Sequence, residues 1–93
     1  MKKLELGQVV QTRAIAEASK EDTNFFGQVL VAFNKYQRND WGDTSPEDAA
    51  LNDAAVENGD DRVVAKYKTT KGNIFIITEW DRSATTILFA NEY

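Results

Sequence analysis

The hydrophobic positions of this chain change their spacing twice along its length. Residues 4–13 form a β-branched run with Gly7 near its start, a pattern typical of a strand at the edge of a sheet. Farther on, large apolar residues recur every three or four positions, which predicts an amphipathic helix that Asp22 or Thr23 can cap. Its apolar stripe consists of Phe25, Phe26, Val29, Leu30, Phe33 and Tyr36. Gly27 lies within this helix at a cost of about 1 kcal/mol relative to Ala, so we expect either a closely packed neighbouring backbone or an irregular helix start.

A second helix is indicated more by its ends than by its middle. Residues 44–48 offer a hydroxyl cap, a proline for the first turn and two acids where the helix dipole favours anions, and Gly59 provides a stop. Because its apolar positions are mostly small, we expect a thin lid with an acidic outer face. These positions are Ala50, Leu51, Ala54 and Ala55.

Beyond residue 61 the hydrophobic period becomes two, which predicts a meander of three strands at residues 62–69, 73–80 and 85–90. A two-residue turn at Lys71-Gly72 would place Tyr67 opposite Ile76, and a four-residue turn at residues 81–84 would place Trp80 opposite Thr85. One face of the sheet then forms the core against the helices. This face carries Val63, Ala65, Tyr67, Ile74, Ile76, Trp80, Ile87 and Phe89.

The other face of this predicted sheet is not polar, because it carries Val64, Phe75, Ile77 and Leu88. We expect the first strand, the helix lid or a second copy of the chain to cover it. The resulting fold prediction is a single α+β domain over residues 1–93. It has an antiparallel sheet of three to four strands, in the order β-α-α-β-β-β, packed on two helices.

Charge is distributed very unevenly along the chain. Residues 39–61 contain eight acidic residues and no Lys, Arg or His, whereas the remaining seven acids face all eleven bases. We call the eight acids the acidic strip: Asp40, Asp43, Glu47, Asp48, Asp53, Glu57, Asp60 and Asp61. Such a strip repels nucleic acid and attracts whatever normally binds nucleic acid.

The residue types that are missing exclude several classes of chemistry. The chain has no Cys and no His, so it has no thiol nucleophile, no thiolate metal site and no nucleophile activated by a His base. A metal site would have to consist of oxygen ligands alone. We therefore expect no enzymatic activity, no cofactor and no metal, and we expect a macromolecular partner.

The acidic strip allows two interpretations. Spaced carboxylates on a rigid element mimic the phosphate row of a nucleic acid and occupy the basic groove of a nuclease. Alternatively, the strip is a solvated helix whose first-turn acids favour the dipole, a common feature of exposed helices. Asp40 and Asp43 also suit a hard cation, together with Glu47 or Asp48, although EF-hand spacing is absent.

Three further residues are candidates for a structural role or for an interface hot spot. Trp41 lies in a polar turn before Gly42, where a Trp more often anchors a loop than forms a ligand platform. Trp80 and Arg82 lie at the tip of the second hairpin, where Arg82 can pair with Glu79 or with the acidic strip. Asp81 suits the turn itself, and an acid/base pair with Glu79 is the alternative.

No apolar run approaches the roughly 20 residues that span a bilayer, and the Met-Lys-Lys start leads into Leu-Glu-Leu rather than into a signal region. We therefore expect a cytoplasmic protein without a membrane partner, and its acidic surface argues against direct nucleic-acid binding.

Several stretches resemble a family of small proteins often labelled plasmid-related, which are carried by plasmids, phages and integrative elements of bacteria. The stretches are Leu6-Gly-Gln-Val-Val10, Asn39-Asp-Trp-Gly-Asp43, Glu47-Asp48, Asn52, Asn58-Gly59, Arg62-Val-Val-Ala-Lys-Tyr67, Ile76-Ile-Thr-Glu-Trp-Asp-Arg-Ser-Ala-Thr-Thr-Ile-Leu-Phe89 and Glu92-Tyr93. Trp80 departs from the pattern, because many members have a small residue there. The resemblance implies a context more than a mechanism, since accessory genes of mobile elements frequently counter host defence.

The sequence thus leads to two functional hypotheses. The first is a non-enzymatic anti-defence protein of a mobile element that binds and inhibits a host nucleic-acid-targeting complex, such as a CRISPR effector or a restriction enzyme, through its acidic surface. The second is a regulatory or maintenance module that forms a homodimer through the reverse sheet face and binds a small ligand or an element-encoded protein.

Overall fold

Three helices and a four-stranded sheet make up the computed structural model, which describes residues 2–93. The elements are β1 (Gln8–Gln11), α1 (Arg13–Glu21), α2 (Thr23–Gln37), α3 (Pro46–Asn58), β2 (Val63–Thr69), β3 (Gly72–Thr78), β4 (Ala84–Phe89) and a 3₁₀ turn at Ala90–Glu92. The predicted α+β class is confirmed. The predicted order of elements is wrong by one helix, because α1 precedes the two that the pattern indicated.

The sheet is mixed rather than antiparallel, which corrects the fold prediction. Its strand order is β1-β4-β3-β2, in which β1 runs parallel to β4 and the other neighbours are antiparallel. Gly7 permits the approach of β1, because a Cβ at this position would lie 2.4 Å from the carbonyl oxygen of Arg82. The first strand is therefore an edge strand, as the pattern predicted, but it pairs in the opposite direction.

The first strand is also shorter than residues 4–13, because Thr12 ends it and begins α1. The Thr12 amide donates to the Ile87 carbonyl at 3.0 Å, and the Thr12 side chain accepts from the Ile15 amide at 3.3 Å. The Ala-rich residues that follow are strong helix formers, and Ile15 is their one fully buried side chain.

The hairpin registers are each displaced by two residues from the prediction. Tyr67 pairs with Ile74 rather than Ile76, and Thr85 pairs with Thr78 rather than Trp80. The first turn is consequently Thr70-Lys71, with Gly72 as the first residue of β3 at φ +102°. Because side chains alternate with period two, a displacement of two residues keeps every strand residue on its predicted face.

The core lies between one sheet face and the helices, with α1 over β4 and α2 over β2. Phe25 stacks on Phe89 with ring centroids 5.5 Å apart, and Val63, Ile74 and Ile76 are fully buried. Trp80 was expected in this core, but it lies beyond the end of β3 and is 67% exposed.

Buried hydroxyl groups occupy the end of the core where Trp80 was expected. Tyr36 Oη lies 2.6 Å from Thr78 Oγ1, which lies 2.7 Å from Thr85 Oγ1, and Thr85 donates to the Leu6 carbonyl at 2.7 Å. This series of hydrogen bonds gives each hydroxyl group a partner, so the three polar side chains are buried without a large desolvation cost.

Helix α3 packs through a face that includes only one of its four predicted inner positions, Ala55. Its ends are as expected, since Ser45 accepts from the Asp48 amide at 3.2 Å and Gly59 adopts φ +68°. The buried residues are Asn52, Ala55 and Val56, whereas Ala50, Leu51 and Ala54 are exposed. The prediction chose the alanine-rich stripe as the inner face, but the inner stripe contains a polar residue that serves the neighbouring strand.

The reverse sheet face is partly covered within the chain itself. Ile77 and Leu88 are buried, while Val64 and Phe75 are half-buried. The Tyr93 ring lies edge-on to Phe75 with centroids 5.5 Å apart. Ile77 and Leu88 are therefore buried within one chain, as the intrachain form of the prediction expected. Phe75 is partly covered by Tyr93, a C-terminal residue that was not among the expected elements.

Candidate functional site

The acidic strip follows one edge of the sheet. It begins in the loop after α2, continues through α3 and ends in the turn before β2, and all eight of its acidic residues are exposed. The charged groups thus lie along a path that the fold fixes at both ends.

Strand β2 provides the rigid support, because its free edge is closed by polar groups of residues 43–52. The Asn52 side chain donates to the Val64 carbonyl at 2.9 Å and accepts from the Val64 amide at 3.2 Å. Thr44 Oγ1 accepts from the Lys66 amide at 2.8 Å, and the Asp43 amide donates to the Lys66 carbonyl at 2.8 Å. These contacts replace the hydrogen bonds of a missing neighbour strand and join the acidic strip to the sheet.

Half of the carboxylates in the acidic strip have structural hydrogen bonds. Two of them bind residues distant in sequence: Asp43 accepts from the Lys68 amide at 2.9 Å, and Asp53 accepts from the Trp41 indole at 2.8 Å. The other two bind nearby amides: Asp40 accepts from the Gly42 amide at 3.1 Å, and Asp61 accepts from the Arg62 amide at 2.8 Å. Three of the four explain why acids occur in the loop and turn that flank α3, and the fourth, Asp53, joins α3 to the Trp41 loop.

The other four, Glu47, Asp48, Glu57 and Asp60, have no side-chain hydrogen bond or ion pair within residues 2–93. Glu47 and Asp48 lie in the first turn of α3, where the helix dipole favours anions. Glu57 and Asp60 lie at the opposite end, where the dipole disfavours them, and the last turn of α3 has no basic residue. The solvated-helix interpretation therefore explains the first pair and leaves the second pair unexplained.

Two cations from outside the acidic strip bind the carboxyl end of α3. Arg82 donates to the carbonyl groups of Ala55 and Asp60, each at 2.9 Å, and to that of Asp61 at 2.6 Å, while Lys2 donates to the Glu57 carbonyl at 2.9 Å. Arg82 thus pairs with the backbone of the acidic strip rather than with its carboxylates. It fixes the end of α3 and leaves the Glu57 and Asp60 carboxylates free to face solvent.

Trp41 joins the acidic strip to the core. Its side chain is 6% exposed, and its ring meets Tyr36 edge-on with centroids 5.4 Å apart. Because its indole also donates to Asp53 on the second turn of α3, the ring holds loop, helix and core together. Gly42 is required beside it, since a Cβ there would lie 2.4 Å from the Tyr67 ring.

The tip of the second hairpin is a turn held by its own side chains. Asp81 accepts from the Ser83 amide at 3.0 Å, and hydrogen bonding from the Ser83 side chain, followed by that from its amide, lowers the pKa of the Asp81 carboxyl group. Trp80 is exposed beside it and makes no ring contact within residues 2–93. Asp81 therefore acts as a turn former. Arg82 joins the tip to α3, because its guanidinium also donates to the Glu79 and Trp80 carbonyl groups at 3.2 Å and 3.3 Å.

A groove of about 460 Å³ lies between the first half of α3 and the reverse sheet face. Leu51, Val64, Phe75 and Tyr93 form its apolar part, and Asp48 lies on its rim. Across the part of the chain that the structure describes, no three acidic residues come together in a group able to hold a metal ion. Within residues 2–93, no helix combines the length and apolar composition that crossing a bilayer requires.

Sequence reasoning missed two residues that hold this surface in place, Asn52 and Thr44. A signal for Asn52 exists in retrospect, because it lies three and four residues before Ala55 and Val56 and so belongs to the buried stripe of α3. No local signal marks Thr44, because its position next to the helix cap predicts only a capping role and its partner Lys66 lies 22 residues away.

Comparison of the chain with protein-family models, with curated proteins and with solved structures finds no match in any of the three. The family resemblance noted in the sequence therefore remains a prediction.

Proposed function

We propose that this protein is a non-enzymatic inhibitor that binds a nucleic-acid-targeting host complex through the acidic strip. The target class is a CRISPR effector or a restriction enzyme, which has a basic channel for DNA or RNA. The carboxylates occupy this channel and exclude the nucleic acid, and the encounter takes place in the bacterial cytoplasm as part of the anti-defence equipment of a mobile element.

One observation carries this proposal, namely the position of Glu57 and Asp60 at the carboxyl end of α3. The helix dipole disfavours acids at this end, and neither carboxylate has a hydrogen bond or ion pair within residues 2–93, because the neighbouring cations Arg82 and Lys2 bind backbone carbonyl groups instead. Local features that reduce stability are common where a surface serves a function. Binding to a cationic channel accounts for their placement.

The mechanical support of the acidic strip favours the same function. A flexible acidic segment loses conformational entropy on binding, whereas the bonds from Asn52, Trp41 and Arg82 hold α3 in one orientation before the encounter. Long-range attraction between the acidic strip and a basic channel also raises the association rate.

Competition with nucleic acid tests this proposal. Purified CRISPR effector complexes and restriction enzymes are immobilised either free or loaded with their DNA, and binding of the protein is measured at several salt concentrations. We expect binding to a free target, loss of binding when DNA fills the channel, and a steep fall in affinity with salt because exposed charges are screened.

Two double variants distinguish the effect of the acidic strip on binding from the effect of net charge alone. Glu47→Lys with Glu57→Lys changes the net charge by the same amount as Glu5→Lys with Glu79→Lys, and all four side chains are exposed. We expect the first pair to weaken binding by at least about tenfold and the second by less than about twofold. Equal weakening by both pairs, or binding that is insensitive to salt and DNA, would contradict the proposal.

A further inference from the structure

Helix α2 exposes an apolar face that no other element of residues 2–93 covers. Phe26, Leu30 and Val31 are 46%, 48% and 55% exposed. Thr23, Gly27 and Asn34 lie on the same arc, opposite the buried stripe. Lys35 is the one charged residue among the fifteen of this helix, and it is half-buried toward β2. The outer face of α2 is therefore uncharged in a chain of which 28% of the residues are charged.

Gly27 lies at the centre of this uncharged face. The helix starts regularly at Asp22, whose side chain accepts from the Phe25 amide at 3.1 Å, and a Cβ at Gly27 would meet no atom within 4 Å. Neither reason that the sequence suggested for this glycine therefore applies within one copy of the chain. A glycine inside a helix is less favourable than alanine, and it makes a shallow site where a second helix can approach closely.

Charge indicates that the occupant of this face is a second copy of the chain. Two copies repel each other at most orientations because each has a net charge of −4, but their α2 faces meet without like charges. Glu21 precedes the start of α2 and Arg38 follows its end, and both are exposed without an ion pair to residues 2–93. An antiparallel pair of α2 helices would bring the end of α1, which carries Glu21, toward the Arg38 of the other copy, and it would oppose the two helix dipoles.

We propose that the protein forms a homodimer through α2, with the two helices antiparallel and crossing near Gly27 and Leu30. The contact is isologous, so each side presents the same residues to the other. Helix α2 is about 22 Å long, which is short for a standard interface, so we expect a dissociation constant on the order of micromolar. This dimer does not use the reverse sheet face, and it is independent of the proposed function.

Sedimentation equilibrium over about 1 to 500 µM protein tests the dimer, since this range brackets a micromolar dissociation constant. Leu30→Glu is expected to raise the dissociation constant by at least about a hundredfold, because it places two carboxylates in the apolar contact. Leu51→Glu is the matched control, since Leu51 is 65% exposed on α3 and lies outside the proposed contact. Val31→Lys provides a second disruption on a different ridge of α2, and circular dichroism verifies that each variant is folded.

A charge exchange tests the antiparallel orientation. Arg38→Glu alone should weaken the dimer, because it places like charges near each other at both ends of the contact, and adding Glu21→Arg should restore it. A wild-type monomer at the highest concentration, or a dimer that persists in both Leu30→Glu and Val31→Lys, would overturn the proposal. Failure of the second charge change to restore a dimer weakened by the first would overturn the antiparallel arrangement.

Discussion

Trp41 connects the acidic strip to the core through two contacts of different kinds. Its ring packs on Tyr36 in the core, whereas its indole nitrogen reaches Asp53 on α3. Ring packing stabilises the fold, and the hydrogen bond sets the direction in which α3 leaves the loop. One side chain thus determines both the stability of the domain and the position of its charges.

Truncation of Trp41 should consequently be severe. We expect Trp41→Ala to lower the free energy of unfolding by about 3–5 kcal/mol, since it leaves a large cavity and an unpaired Asp53. Trp41→Phe keeps most of the ring packing and should lose about 1–2 kcal/mol with the hydrogen bond. Urea unfolding measures both changes. An unchanged melting temperature for Trp41→Ala would show that the ring is not part of the structural core.

Tyr36 and Tyr67 are buried phenols, and their ionisation makes the stability of the fold decrease at alkaline pH. Burial raises the pKa of both above the ordinary value of 10.0, and the neighbouring Tyr36 and Asp40 raise the pKa of Tyr67 further. The folded state therefore keeps two protons that the unfolded state loses above about pH 10. Their contribution to stability is complete below that pH and decreases as the pH rises toward the folded-state pKa.

We expect the free energy of unfolding to fall steeply between about pH 10 and 11.5, because the unfolded chain ionises in this range. Tyr36→Phe removes one of the two groups and should make this fall shallower, although it lowers stability at pH 7 by about 1 kcal/mol through its lost bond to Thr78. Tyr93→Phe, a change at an exposed ring, serves as the control. Identical pH profiles for the wild type and Tyr36→Phe would exclude this contribution.

At the scale of elements, the parts of the fold predicted from sequence are those that local chemistry specifies. The cap at Asp22, the Ser45 cap and the Gly59 stop define α2 and α3, because each depends on residues within one turn of the chain. Period-two alternation located β2, β3 and β4 for the same reason. Helix α1 was missed because its single buried residue, Ile15, creates no hydrophobic periodicity. Its alanines favour a helix only through their intrinsic helix propensity.

The closure of the β2 edge was not predictable, because it joins segments that are distant in sequence. Asn52→Ala removes both bonds to Val64 and leaves its amide and carbonyl without partners. We expect a loss of about 2–4 kcal/mol together with a greater tendency to aggregate, since an open strand edge can pair with another chain. Asn58→Ala, at an exposed position of the same helix, should cost less than about 1 kcal/mol.

Urea unfolding and light scattering compare these two variants. Equal stability of Asn52→Ala and Asn58→Ala would mean that water replaces the bonds of Asn52 and that the edge needs no side-chain closure.

At the scale of the whole molecule, two features lay beyond the sequence pattern. The direction of β1 depends on the path of the three helices and two strands that separate it from β4, so no local signal distinguishes a parallel from an antiparallel pair. The two-residue displacement of the hairpins is equally invisible, since both registers bury the same side chains. The location of the acidic strip was predictable because charge is a property of the sequence, whereas the division of its carboxylates into bonded and free groups required the structure.

That division has a consequence for the electrostatics of the whole chain. The eight acids of the strip repel one another. In addition, the dipole of α3 stabilises acids at its amino end and destabilises acids at its carboxyl end. Glu57→Gln removes an anion from the end that disfavours it and should raise the free energy of unfolding by about 0.3–1 kcal/mol. Glu47→Gln removes one from the favourable end and should lower it by a similar amount, reduced by the relief of repulsion within the strip.

Urea unfolding of these two variants at about 20 mM and about 500 mM NaCl checks the argument, because salt screens exposed charges over this range. We expect opposite shifts at low salt that converge at high salt, and a wild type that gains stability on addition of salt. Shifts of the same sign and size in both variants would mean that self-repulsion alone governs the strip. The position of Glu57 would then carry no cost that a binding function has to explain.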